Sequence, residues 1–374
     1  MRLSNCLKRF ILWYKAYRMR RCYGKRISKI MHLNNISSKA IEGENEFIRK
    51  WQTLTSNVNI NYYRCYANYI GKDINILPED ICCNIIEPIL DPIKYRYFYD
   101  DKNMFERILT PDFLPIALLR NIRGFYYSKN YEPVHIETDK ELYAYLVGYD
   151  KIIIKPTVDT ESGRNVVLFI RNTKGGFENK DGMYLSLDFL KTYYKKDFIV
   201  QECLKQHPVM AHFNSSSVNT LRVCTYRSVK TDKIIVTNIA LRVGKNGNDV
   251  DNIHAGGIVF GVGIDGKINA YGTNHWGEKF QCFNDIDYRK NELYIPEMSS
   301  IIKFAKQVAS LIIHHRLLAL DIMLTENGCP KLLEYNIGGF STWLFQFNTG
   351  TVFGEYTDEV IDYCSQHLND IDLF

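Results

Sequence analysis

Stretches whose apolar residues recur every three or four positions alternate along the chain with shorter apolar runs, so helices and strands are both predicted. Leu7, Phe10, Ile11, Tyr14 and Tyr17 fall at helical spacing and predict an N-terminal helix. Between residues 42 and 95, Pro78, Pro88 and Pro92 interrupt every long periodic stretch, which predicts short helices and loops. Pro115 to Tyr127 reads as strand. Thr138 to Val147 reads as a helix with Thr138 as N-cap and Glu141 completing a capping box. Short β-rich runs follow at Ile152 to Lys155, Val166 to Ile170 and Phe198 to Glu202, then a longer pair, Thr220 to Val229 and Lys233 to Val243. Only Lys230, Thr231 and Asp232 separate that pair, so it reads as an antiparallel hairpin. A Gly-rich run from Ala255 to Gly263 leads to an Asp265-Gly266 turn and another strand. Ser299 and Ser300 offer an N-cap for a helix reaching His314. Strands at Leu317 to Thr325 and Lys331 to Asn336 precede a last helix around Gly354 to His367.

With 374 residues the chain exceeds what one core organises, so more than one packed lobe is expected. Its 46% hydrophobic and 24% charged residues are those of an ordinary globular protein, and no apolar run approaches the about eighteen residues of a membrane span. The ten cysteines form no CxxC pair, and a reducing cytoplasmic compartment follows as the simplest expectation.

Net charge is +5, yet residues 1–41 hold eleven Lys and Arg with no Asp or Glu, which leaves −6 for the remainder. Lys8, Arg9, Lys15, Arg18, Arg20 and Arg21 crowd around the apolar positions of the first helix. Such an arm suits peripheral contact with an anionic membrane surface at the inner face of the membrane; a helix packed on its own domain with a solvated basic face is the alternative. Nucleic acid is not expected as a partner, because the acidic body repels phosphate backbones.

Asn327-Gly328 favours a two-residue hairpin turn with both residues at positive φ. Counting outward from such a turn sets Asp321 opposite Glu334 in a non-hydrogen-bonded pair, about 4.5 Å apart at Cα. Asn336 then projects from the face of Glu334. Like charges held together need compensation, and an oxygen-seeking divalent cation such as Mg²⁺ provides it. Solvated acids on an exposed hairpin are the alternative.

Lys155 ends the apolar strand Ile152 to Lys155, where its ammonium can meet a phosphate, and the polar loop Thr157 to Asn165 follows with Ser162 and Gly163, which by itself reads as a plain hairpin loop or as a cradle for phosphate oxygens. Phe198 to Glu202 reads as a buried strand whose polar end, Gln201 and Glu202, with Leu204 beyond, suits an adenine edge or a plain core strand with a solvated end. Arg222 and Arg242 lie about equally far from the turn residue Asp232, so they should approach one another and hold an anion between them, or else face solvent. His275, His314 and His315 read as structural. His254, beside Ala255-Gly256-Gly257, is the histidine to test.

Taken in order, Lys155-Pro156, Ser162-Gly163, Gln201-Glu202, Asn219-Thr220-Leu221-Arg222, Asp321 and Glu334-Tyr335-Asn336 resemble the ATP-grasp superfamily. Gln206-His207-Pro208, Asp251-Asn252 and Ala255-Gly256-Gly257-Ile258 narrow the resemblance to its sugar-transfer-associated family, over roughly residues 95–368. The resemblance implies an α+β ATP-grasp fold, two α+β lobes gripping the nucleotide, with a helical basic N-terminal extension. It divides the chain into an arm (1–41), a helical and loop segment (42–95) and a catalytic domain (96–368), with a small lobe at about 150–205 and a large lobe at about 206–368. It implies that Lys102 and Lys155 contact the phosphates of ATP, that Ser162 and Gly163 cover them, that Gln201, Glu202 and Leu204 border the adenine, and that Asp321, Glu334 and Asn336 bind Mg²⁺. Arg222 and Arg242 match the basic residues around the transferring phosphoryl group, with His254 as a further catalytic candidate. Ala319 stands where many relatives have an arginine, which makes Arg222 and Arg242 its replacements. Gln206 or His207 stands where a ribose contact is usual.

The implied activity is that of an ATP-dependent ligase joining a small or sugar-linked carboxylate to an amine or hydroxyl through an acyl phosphate, in cell-surface polysaccharide synthesis. A sugar kinase-like phosphotransferase and a noncatalytic nucleotide-binding scaffold of a polysaccharide assembly complex are the alternatives.

Overall fold

The computed structural model describes residues 5–158, 165–248, 251–290 and 292–372. The chain forms two compact units. The first comprises Met1–Arg96, Pro208–Met323 and Tyr335–Phe374; the second comprises Tyr97–His207 and Leu324–Glu334.

The second unit is built on a seven-stranded sheet. Its strands are β1 (Ala117–Ile122), β2 (Phe125–Ser128), β3 (Pro133–Val134), β4 (Lys151–Pro156), β5 (Val167–Arg171), β6 (Phe177–Glu178) and β7 (Phe198–Glu202), in the order β3-β2-β1-β7-β4-β5-β6. Leu119, Ile152, Ile154, Phe169, Phe198 and Val200 make its apolar core. The helix Asp139–Ala144 carries the complete capping box expected from Thr138 and Glu141.

The other sheet runs β12-β11-β10-β9-β8-β15-β16. It comprises β8 (Thr220–Arg227), β9 (Ile234–Val243), β10 (Ile258–Val262), β11 (Ile268–Thr273), β12 (Lys279–Phe280), β15 (Leu317–Leu324) and β16 (Pro330–Asn336); β13 (Cys282–Phe283) and β14 (Ile286–Asp287) pair separately. β8 and β9 form the expected hairpin, with a bulge between Cys224 and Thr225 that shifts their register. The helix beneath them runs Met298–Leu311. Its N-cap is Glu297 in a left-handed conformation; Ser299 and Ser300, expected to cap it, lie inside its first turn, and it ends three residues before His314.

The N-terminal residues of the first unit form α1 (Asn5–Leu33), α2 (Glu44–Gln52) and α3 (Asn61–Ile70), then a continuous helical stretch from Glu79 to Leu90. Pro88 was expected to break that stretch and does not. The turn Cys82–Ile86 is π-helical, with Glu87 N–H donating to Cys82 O. A proline lacks the N–H an α-turn needs and crowds the carbonyl four residues back, and the wider turn relieves both faults.

Four carboxylates on and after this stretch, Glu79, Asp80, Glu87 and Asp91, are buried. Two of them tie the helices to the sheet. Asp91 Oδ1 accepts from Arg316 N at 2.7 Å and Leu317 N at 3.0 Å, which fixes the start of β15. Glu87 Oε1 accepts from Phe340 N at 3.0 Å, which anchors the chain shortly after β16.

Burial pushes the Glu87 carboxyl up to about 7, with Asp91 adding to the rise while backbone N–H donors and Arg96 oppose it. A raised folded pKa means that stability present below about 4.5 is lost as pH rises through about 7. Glu87→Gln keeps the acceptor for Phe340 and removes the charge. Relative to the wild type, the variant should therefore gain stability between pH 5 and pH 8, by ~1–3 kcal/mol. Chemical denaturation at the two pH values measures this; a constant difference would refute it.

Candidate functional site

Within the first unit, the site is set by three adjacent strands. Arg222 on β8 pairs directly with Asp321 on β15. On the other side of β8, Arg242 of β9 lies opposite Thr220, two residues from Arg222. Alternation therefore puts Thr220, Arg222, Arg242 and Asp321 on one face of the sheet.

Their side chains interlock. Arg222 grips Asp321 with two bonds of 2.7 Å, from Nε to Oδ1 and from Nη2 to Oδ2. Arg242 Nη1 donates to Asp321 Oδ2 at 2.8 Å, while its Nη2 lies 3.1 Å from Asp251 Oδ1. Thr220 Oγ1 donates to Asp251 Oδ2. The anion expected between the two arginines is thus Asp321 itself. Burial alone would push the Asp321 carboxyl up, but Arg222 and Arg242 outweigh it and hold the group below its usual range. Burial raises Asp251 against the opposing pull of Arg242 and Thr220. No role was assigned to Asp251 from the sequence, although Asp251-Asn252 belonged to the motifs quoted; its only signal was that adjacency.

Asn336 Nδ2 donates to Ala319 O at 3.1 Å, which turns the side-chain oxygen the other way. His254 sits exposed on the single turn Ile253–Ala255, whose cap is Asn252. Its ring lies 4.9 Å from that of His275. Partial desolvation, then Arg26 and Arg242, hold its pKa below the usual histidine value, so the imidazole is neutral near pH 7. Gly257 directly precedes β10. A Cβ there would meet Asn252 O and Val243 O at 3.0 Å, so this glycine accommodates the protein's own backbone.

In the second unit, two lysines are brought together by a buried polar network. Lys102 N–H donates to Thr157 O at 3.0 Å, two residues beyond Lys155. Asn103 Nδ2 donates to Thr157 Oγ1 and to Asn121 O, and Arg120, fully buried, donates to Asn103 O. Lys102 Nζ lies 2.9 Å from Glu334 Oε1. Lys155 Nζ donates to Leu333 O at 3.4 Å. Burial, then the charge of Lys102, push the Lys155 ammonium down to about 8, with Glu334 pulling the other way. Sequence reasoning missed Asn103, Arg120 and Thr157. A lone Arg inside the apolar run Ala117 to Ile122 was the available sign of a buried partner.

The turn after β15 is not the two-residue turn expected. Thr325 N–H donates to Cys329 O and Gly328 N–H to Thr325 O, and of Asn327 and Gly328 only the glycine has positive φ, 74°. The loop is therefore Glu326, Asn327 and Gly328, the three-residue form with glycine in the left-handed position. The count that set Asp321 opposite Glu334 began from the shorter turn and loses its basis. The two acids are compensated by cations of the chain, Asp321 by arginines and Glu334 by Lys102.

Gln201 and Glu202 use their side chains on the start of the first sheet. Gln201 Nε2 donates to Pro115 O at 3.3 Å, and Glu202 Oε1 accepts from Ile116 N at 2.8 Å. Leu204 is half-buried just beyond them, and Gln206 bridges to Thr325. Ser162 and Gly163 lie outside the described residues. His315 is buried 3.6 Å from Asp91 Oδ1, and His314 stacks on Tyr95.

These donors fit a hard cation and a phosphate chain. Carboxylate and amide oxygens are what Mg²⁺ takes, and partly buried, neighbouring ammonium groups such as Lys102 and Lys155 are what a polyanion stabilises. Among the described residues no three His, Cys, Asp or Glu side chains gather as a cation site.

The comparison with curated proteins found no match. Among solved structures, the chain is similar to N5-carboxyaminoimidazole ribonucleotide synthetase from Thermotoga maritima, with a TM-score of 0.36 and 11% identity over 70% of this chain and 49% of that one. It is also similar to D-alanine-D-alanine ligase from Coxiella burnetii, with a TM-score of 0.38 and 10% identity over 73% and 60%. A third likeness is to L-amino acid ligase from Bacillus licheniformis, with a TM-score of 0.33 and 11% identity over 66% and 43%. The chain spans about half the length of the synthetase it matches, and likeness at this level carries no functional assignment. The family model described as sugar-transfer associated ATP-grasp matches residues 87–360, well over half of the chain. The chain therefore belongs to the sugar-transfer associated ATP-grasp family, and its fold is the α+β ATP-grasp fold with N-terminal helices.

Proposed function

We propose that the protein is a Mg²⁺-dependent, ATP-consuming ligase that joins a carboxylate to an amine or hydroxyl in cytoplasmic steps of cell-surface polysaccharide synthesis. The observation that carries this reading is the lysine pair. A partly buried ammonium, Lys155, is held beside a second one, Lys102, at a cost in solvation and repulsion that an anionic ligand offsets.

In this reading Lys102 and Lys155 hold the phosphates of ATP, and the buried Asn103 and Thr157 position Lys102. Gln201 and Glu202, fixed by their bonds to Pro115 and Ile116, and Leu204 border the adenine, and Ser162 and Gly163 belong to the loop over the phosphates. Asp321, Glu334 and Asn336 supply the oxygens for Mg²⁺. Bound there, the metal contributes neutralisation of charge on the phosphate oxygens.

A substrate carboxylate oxygen attacks the γ-phosphorus; the new O–P bond forms as the bond to the β-phosphate oxygen breaks and ADP leaves. Arg222 and Arg242, already oriented by Asp321, stabilise the negative charge on the transferring group. An amine or hydroxyl then attacks the acyl carbon and expels phosphate. His254, neutral near pH 7, accepts the proton that the incoming group gives up.

Incubation with ATP, Mg²⁺ and candidate acceptors tests the reaction class. ADP and free phosphate with a new amide or ester support the ligase; a phosphorylated sugar indicates a kinase instead, and absence of turnover a scaffold. Glu334→Gln and Asp321→Asn should each lower Mg²⁺-dependent turnover by at least ~100-fold. They should differ in stability. Asp321→Asn leaves Arg222 and Arg242 without their buried partner and should cost ~3–5 kcal/mol, whereas Glu334→Gln, at a half-exposed position, should barely shift the melting temperature. Unchanged turnover in both would refute the metal assignment.

Lys155→Met should show opposite signs in two measurements. A folded pKa near 8 means the charged lysine destabilises the protein at pH 7, so its removal should stabilise the protein by ~1–3 kcal/mol. Nucleotide affinity, read by calorimetry, should fall at least ~10-fold. Equal ATP affinity in variant and wild type would remove Lys155 from the phosphate site. His254→Ala should lower turnover by ~100-fold with nucleotide affinity unchanged, and an unaltered rate would exclude it as the base.

A further inference from the structure

The 29-residue helix α1 divides into two halves with different surroundings. Its second half is core. Ile27, Ile30 and Met31 are buried, Arg26 Nη2 donates to His275 O at 3.1 Å and lies 3.5 Å from Glu79, and Asn34 just past the helix donates to Trp276 O at 2.7 Å.

The first half is different. On its inward side Leu12, Ala16 and Arg20, with Trp13 at the rim, line an open groove of about 630 Å³, so the helix stands off the body there instead of packing into it. On its outward side Phe10, Tyr14 and Tyr17 are 60%, 49% and 44% exposed, and Trp13, at the rim of the groove, is 56% exposed. At about 100° per residue these four and Leu7 occupy one arc of roughly 120°, whose centre lies away from the side that carries Ile27 and Ile30 and whose Trp13 edge is in line with the buried Met31. The rings form a continuous surface: Phe10 and Trp13 lie 6.0 Å apart between centroids, and Trp13 and Tyr17 stack at 5.8 Å. Exposed Arg18, Arg21 and Lys25 lie on the same side of the helix one to two turns further on.

A solvated charged face explains the arginines but not the outward rings, which leave apolar surface in water. Aromatic rings that combine an apolar body with a polar tip, flanked by Arg and Lys, match the headgroup level of a bilayer. The eleven basic and no acidic residues of 1–41 single out an anionic surface. Among the described residues no helix is long and apolar enough to cross a membrane, so a helix lying in the interface plane is the form such contact takes.

We infer that the first half of α1 is a membrane-docking surface that inserts Phe10, Trp13, Tyr14 and Tyr17 among the headgroups of an anionic bilayer, with Arg18, Arg21 and Lys25 on the lipid phosphates. The matched family region begins at residue 87, so this surface belongs to this chain's own extension. It stands apart from the catalytic reading and does not depend on it.

The full chain is tested by co-sedimentation with phosphatidylcholine vesicles and with vesicles containing about one third phosphatidylserine. The wild type should bind the anionic vesicles at least ~10-fold more strongly than the neutral ones, and rising salt should weaken that binding. Phe10→Ser/Tyr14→Ser/Tyr17→Ser should lose at least ~10-fold in vesicle affinity at low salt and at high salt. Arg18→Ser/Arg21→Ser/Lys25→Ser should lose ~100-fold at low salt only. A blue shift of tryptophan fluorescence on adding anionic vesicles should vanish in Trp13→Phe. All substituted side chains are at least half exposed or nearly so, and circular dichroism and turnover of ATP should match the wild type.

Three results overturn the inference. The first is equal binding of the wild type to neutral and anionic vesicles, or binding to neither. The second is vesicle binding by the aromatic variant as strong as that of the wild type. The third is retention on soluble RNA or formation of a dimer that accounts for the effect of the substitutions, since the face would then serve nucleic acid or a second copy.

Discussion

Asp321 is a carboxylate placed in the middle of a strand that is buried along its whole length, and that placement governs the surrounding sheet. A lone carboxylate there would be protonated or would destabilise the fold by several kcal/mol. Two guanidiniums prevent this, one from the adjacent strand and one from the strand beyond it, and each has to sit on the same sheet face at a compatible height. The bulge between Cys224 and Thr225 makes this possible, because the pairing on its turn side, continued without a shift, would set Arg242 opposite Asn219 on the other face; the one-residue shift sets it opposite Thr220, on the face of Arg222. Guanidinium charge thus reaches Asp321 from β8 and β9.

The helical N-terminal residues support this strand from its other end. Asp91 accepts both backbone N–H groups at the start of β15, and Glu87 accepts one beyond β16. Buried carboxylates that bind backbone donors fix position in a way apolar packing alone does not, because hydrogen bonds specify direction. The family match begins at Glu87, the first of these two anchors. Upstream of it, the second half of α1 joins the same core through Ile27, Ile30 and Met31 while its first half does not, so one helix serves both packing and presentation.

In the second unit the comparable constraint is Asn103. It receives Arg120 and Tyr131 on its carbonyl and spends its side chain on Asn121 and Thr157, and so holds the Lys102 backbone close to the strand that ends in Lys155. Because that network is almost wholly buried, the lysines are oriented before any ligand arrives. Positioning of this kind reduces the ordering that binding requires.

Much of this was legible in the order of residues. The Thr138 capping box, the β8–β9 hairpin and the alternation that makes Arg222 and Arg242 neighbours depend on local periodicity and short-range hydrogen bonding, which a linear reading contains. The misses have a common cause. The three-residue loop at Gly328 and the π-turn before Pro88 are local geometries that strain and neighbouring strands choose among closely matched options. The pairing of Asp321 with arginines, of Glu334 with Lys102, and the roles of Asp251, Asn103 and Arg120 join residues from 9 to more than 200 positions apart. A sequence states which charges a chain carries; only the folded backbone decides which of them meet, because desolvation makes each buried charge settle on whatever partner the strands bring within reach.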